Sequence, residues 1–136
     1  MIQRVQTIWM ILGAIAAFLT LQFSFYSGNL AEGNIYHAVM ASDNFFILIL
    51  TSALGTGIII NIFLYKHRSV QFRIILFALL TECLIIFIYT RETNKFTTGN
   101  FSLWSALHLV IIVFLILAAR GIYKDSKLIK ESNRLR

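Results

Sequence analysis

Residues 45–65 read FFILILTSALGTGIIINIFLY, a run without one charged side chain. A helix needs roughly 20 apolar residues to cross the hydrocarbon core of a bilayer, so this run reads as a membrane span. Three comparable runs flank it, at 7–25, 72–89 and 101–119. Together they fill most of the 136-residue chain and leave only short connections, with no room for a separate soluble domain. The composition is 58% hydrophobic and 13% charged, with a mean hydropathy of +0.77. That leaves too little polar surface to cover a fold in water. The expected class is an all-α polytopic membrane protein: a domain of four antiparallel transmembrane helices over 1–119, then a basic tail over 120–136 that continues as a helix. Arg4 ahead of the first run also suits a signal peptide, but the run is longer than a usual h-region and 22–26 offers no small-x-small cleavage site. The first helix is expected to remain.

Orientation follows from the cations. Arg4 precedes the first run, Lys66, Arg68 and Arg73 lie between the second and third, and Arg120, Lys124, Lys127, Lys130, Arg134 and Arg136 follow the fourth. Of the 12 basic residues, only Arg91 and Lys95 fall on the other side. The positive-inside rule places both termini in the cytoplasm. The net charge of +6 is then a signal of topology and of attraction to anionic lipid headgroups. Membrane lipids are expected partners and nucleic acid is not. Aromatic residues gather at both ends of the runs, among them Phe25, Tyr26, Tyr89 and Trp104 at the outer ends and Trp9 and Tyr123 towards the inner ones.

The chain contains no proline, so straight helices are expected. Lipid tails remove the hydrophobic drive between helices, and small residues that allow close approach take its place. Gly13 with Ala17, and Ala53 with Gly57, have small-xxx-small spacing and predict that the first two helices touch along those faces. In the first outer connection, 27–44, Ile35, Tyr36, Val39 and Met40 recur at helical spacing, which fits a short interfacial helix; an unstructured loop is the alternative.

Two polar residues interrupt the apolar background. Glu82 in the third run and His108 in the fourth lie at matching depth, counted inwards from Tyr89 and from Phe101. A carboxyl group at that depth is expected to face the bundle interior and either pair or stay neutral. The two residues are therefore candidates for a proton-coupled or ligand-binding pair, with a structural hydrogen bond as the plainer reading, and Thr51, Ser52 and Thr56 are placed to join them. One Glu and one His are too few for a metal site, and a lone His is a weak haem signal, so no metal or cofactor is expected. Cys83 is the sole cysteine and reads as a small filler. No nucleophile elbow or phosphate loop occurs, and the chain is not expected to be an enzyme.

The tail carries half of the basic residues, with Ile122 and Ile129, and Leu128 and Leu135, forming narrow apolar seams. It reads either as a juxtamembrane anchor on anionic headgroups or as a docking segment in which Arg120, Lys124, Asp125 and Arg134 meet a partner or lipid. The opening Met1-Ile2-Gln3-Arg4-Val5-Gln6-Thr7-Ile8 and the closing Ala118-Ala119-Arg120-Gly121-Ile122-Tyr123-Lys124-Asp125, with Leu128-Ile129 and Arg134-Leu135-Arg136, resemble an uncharacterised family of small four-helix inner-membrane proteins from Bacteroidota. The resemblance implies a bacterial cytoplasmic membrane and the same four-span topology, and brings no activity and no functional residues with it. Two function classes follow from the residues. The first is a non-catalytic accessory or adaptor subunit of a larger membrane complex, or of a homo-oligomer. The second is a small oligomeric transporter or channel component that uses Glu82 and His108.

Overall fold

The computed structural model of the chain describes residues 3–31, 33 and 35–134, and only the backbone of residues 3 and 4. Met1, Ile2, Leu135 and Arg136, and the side chain of Arg4, lie outside the described residues. Four helices carry most of the chain: α1 (Gln3–Thr20), α2 (Phe45–Phe63), α3 (Arg68–Thr93) and α4 (Ala106–Arg134). Three of them, α2, α3 and α4 with the turn before it, are long and apolar enough to cross a membrane; α1 is apolar over Val5–Thr20 but shorter. The helices form a square in which α1 and α3 each pack on α2 and α4.

The buried stripes explain the square. On α3 the buried residues are Gln71, Ile75, Ala78, Glu82, Ile85 and Tyr89, and on α4 they are His108, Ile111, Leu115, Ala118, Ile122 and Asp125. Steps alternating between three and four residues keep one narrow seam turned to the bundle axis. The remaining faces stay apolar and exposed, as with Phe77, Leu80, Phe87, Leu109 and Val113, which suits contact with lipid.

The helix ends are set by local chemistry. Asn44 caps α2 by accepting from the Phe46 N–H at 3.0 Å, and its Nδ2 donates to Glu92 Oε1 at the end of α3 at 3.1 Å. Before α4, Ser102 Oγ accepts from the Trp104 N–H and a single 3₁₀ turn, Leu103–Ser105, leads into the helix.

The all-α expectation requires a correction. Residues expected as an interfacial helix or loop form a hairpin of β1 (Tyr26–Leu30) and β2 (Tyr36–Val39), and β1 also pairs with β3 (Phe96–Phe101). The result is an antiparallel sheet in the order β2-β1-β3, at the end of the bundle where α1 and α3 finish and α2 and α4 begin. Of the four apolar residues read at helical spacing, Val39 alone is buried, while Ile35 and Tyr36 are about as exposed as each other on the surface. They share no helix face because there is none. Gly28 and Gly99 stand opposite each other in the β1–β3 register. A Cβ on Gly28 would overlap the Thr98 carbonyl, and one on Gly99 would lie 2.6 Å from the Tyr26 ring, so the two strands approach this closely only because both positions lack a side chain. Gly33, at φ 93°, turns the hairpin in a conformation other residues adopt with strain.

Candidate functional site

Polar side chains enter the apolar seam at two levels. At the level nearer the sheet, Glu82 of α3 and His108 of α4 come together with Glu82 Oε1 2.7 Å from His108 Nδ1. Both are almost fully buried, at 1% and 3% exposure. Each is held in the seam by the three-four spacing of its helix. Phe25, which leads into β1, stacks on Tyr89 at 4.4 Å between ring centroids, and both rings stand edge-on to the His108 imidazole, at 5.4 Å and 5.3 Å. The strand's own backbone fixes this plug: the Phe25 N–H donates to the Val39 carbonyl, and the Phe25 carbonyl accepts from the Ser102 N–H. The sheet missed in the sequence thus positions the aromatic cover over the pair. Such a pair holds one proton in either of two ways, an N–H donating to a carboxylate or a carboxyl O–H donating to the imidazole, with the hydrogen bond kept in both.

The hydroxyls of α2 do not gather round it as expected. Ser52 Oγ donates to the Leu48 carbonyl and Thr56 Oγ1 to the Ser52 carbonyl, both turned back on their own helix. Thr51 is buried, and its Oγ1 has no partner among the described residues. Cys83 is exposed on the outer face of α3, so it fills no space in the core.

The second level lies at the other end of the bundle and was not anticipated. Asn61 Nδ2 donates to the Gln71 carbonyl and Gln71 Nε2 to the Asn61 carbonyl, each at 3.2 Å, a reciprocal clasp that closes the α2–α3 hairpin. Met10 Sδ of α1 faces both amides, at 3.8 Å and 3.9 Å. Arg68 Nη1 lies 3.2 Å from the Asp125 carbonyl and 3.4 Å from its carboxylate, joining the start of α3 to α4. Gln6 of α1 lies against Gly121, where a Cβ would stand 2.6 Å from the Gln6 Cγ. Continuing the three-four stripe outward from Glu82 and from His108 would have reached Gln71 and Asp125, since both complete the same seams.

Of the tail residues, Arg120, Lys124 and Arg134 are exposed, whereas Asp125 is buried and turned towards Arg68. Ile122 is likewise buried in the bundle while Ile129 is exposed, so those two do not form one continuous seam. Among the small residues, Gly13 is buried and faces Phe114 of α4, and Ala17 is fully buried. Ala53 is exposed, and Gly57 has open space where a Cβ would be. Helices α1 and α2 do pack together. The glycine that admits α1 is Gly55, whose position of a Cβ would be 2.9 Å from the Phe18 ring.

No group of three or more metal-ligating side chains occurs among the described residues. No curated protein and no solved structure matches the chain. A family profile described as Domain of unknown function (DUF4293) matches residues 2–135, and the chain, with its apolar helices and its two buried polar levels, belongs to that family.

Proposed function

We propose that this protein is a four-span component of a bacterial cytoplasmic membrane, with both termini inside, that serves as a non-catalytic accessory or adaptor subunit of a larger membrane complex. The supporting observation is the length of α4. Its 29 residues make a helix of about 44 Å at 1.5 Å per residue, against a hydrocarbon core of about 30 Å. Its last turns therefore stand clear of the membrane, and there Lys124, Lys127, Lys130 and Arg134 are exposed. The 18 residues of α1 give about 27 Å, enough to serve as the fourth span. Positive charge at the end opposite the sheet supports a cytoplasmic placement of that end. The partner is another membrane protein or a second copy of this chain. The test is recovery of tagged protein from its native host in mild detergent, with partners quantified by mass spectrometry. Lys124→Glu combined with Arg134→Glu is expected to reduce a stoichiometric partner at least tenfold at unchanged abundance of the chain. Full retention of that partner would contradict the docking role of α4.

A second reading rests on the 2.7 Å contact between Glu82 and His108. In it the pair moves protons or binds a ligand within an oligomeric transporter or channel component. Glu82→Gln reconstituted in vesicles then abolishes flux, or its dependence on pH, with normal protein levels. A fall in abundance without a separable flux defect would make the pair structural.

A further inference from the structure

We propose that the cavity at the end of the bundle opposite the sheet is a binding site for a phosphate group carried on an amphiphile, the headgroup of an anionic phospholipid. The cavity has a volume of about 590 Å³ and is lined by Gln6, Ile62, Phe63, Tyr65, Arg68 and Asp125 among others. That size falls within the usual range for small-molecule sites.

Three features define what fits. Gln6 is 95% buried by its exposure of 5%, yet its Nε2 has no hydrogen-bond partner among the described residues. A buried amide donor without a partner carries a desolvation cost, which an acceptor in the cavity relieves once the Gln6 side chain turns towards it. Arg68 supplies the charge. Asp125 holds its Nη1, through its carbonyl at 3.2 Å and its carboxylate at 3.4 Å, which fixes the guanidinium beside the cavity. A guanidinium fork so presented matches phosphate oxygens. The N-terminus of α3 begins at Arg68 and receives no side-chain cap from His67, so the helix adds positive potential on the same side. Asp125 lines the same cavity and its carboxylate, 3.4 Å from Arg68 Nη1, offsets part of that charge, so the attraction for an anion comes from the side of the guanidinium turned away from Asp125 and from the helix terminus.

The amphiphile follows from the other wall. Ile8 and Phe63 line the cavity and are exposed, at 53% and 75%, on faces that a bilayer would cover. Acyl chains can leave along them between α1 and α2 while the headgroup stays beside Gln6 and Arg68. Gly121 makes the seat possible, since any larger residue there would displace the Gln6 side chain.

This inference rests on the membrane reading but not on the docking role of α4. The test is native mass spectrometry of the full chain in neutral detergent, titrated with phosphatidylglycerol, with diacylglycerol of the same chains, and with inorganic phosphate. Phosphatidylglycerol is expected to bind at least tenfold more tightly than diacylglycerol, and inorganic phosphate at the same concentration is expected not to displace it. Gln6→Leu is expected to reduce phosphatidylglycerol binding about tenfold while leaving the thermal midpoint of lipid-free protein unchanged or higher, because it removes a donor that has no partner in the chain. Equal binding of phosphatidylglycerol and diacylglycerol by the unaltered protein would overturn the proposal, whatever the variant does. Displacement by inorganic phosphate would overturn the amphiphile, and wild-type affinity in Gln6→Leu would overturn the seat. Partner recovery is read separately, so failure here leaves the docking reading standing.

Discussion

Glu82 shows how far a single residue can be read. Its depth alone, matched with that of His108, anticipates a buried partner, because a carboxyl group in lipid must find one. The Oε1 to Nδ1 contact is that partner. Asn61 and Gln71 escaped the same argument because each lies near the end of a run, and Asp125 because it was read in the tail, places where polar side chains ordinarily meet water or a partner. Their role is set by helix rotation, which hydropathy does not fix. The pair also makes a residue-level prediction: Glu82→Leu leaves the buried imidazole without its partner and lowers the thermal midpoint in detergent. Glu82→Leu with His108→Leu recovers most of the loss, since replacing both partners of a buried polar contact is far less damaging than removing one. The coupling free energy expected from the double-mutant cycle is about 1–3 kcal/mol. Additive losses would show that the two side chains do not act as a unit.

At the scale of elements, the helices were legible because a long apolar run has few other readings in a chain this hydrophobic. The sheet was not. β1 reads YSGNL and carries no alternation of apolar and polar residues, and β3 lies far from it in sequence. What holds them is pairing across the end of the bundle, with Gly28 opposite Gly99, a tertiary relation that no local pattern displays. The seam between α1 and α2 illustrates the same limit on a smaller step: small-residue spacing anticipated the contact, but Gly55, two positions from Gly57, makes it. Gly28→Val should block the β1–β3 pairing while leaving the helices intact. Hydrogen exchange is expected to quicken at residues 26–30 and 96–101 and to stay unchanged in the middle of α2. Unchanged exchange in β3 would mean that the pairing does not depend on the bare backbone.

The whole molecule is organised between two unlike ends. One carries the sheet and the aromatic cover over Glu82 and His108; the other carries the cations of α4, the Arg68–Asp125 contact and the cavity beside Gln6. The docking role proposed for α4 requires that the second end face the cytoplasm, the orientation expected from the distribution of lysine and arginine. Cysteine labelling in intact cells tests this most directly, since Cys83 is the sole native thiol and can be removed as Cys83→Ser. In that background Thr98→Cys in β3 and Lys127→Cys in α4 place thiols at exposed positions on the two ends. A membrane-impermeant maleimide is expected to modify the first in intact cells and the second only after the membrane is opened. Labelling of the second position in intact cells, or protection of the first, would contradict the account.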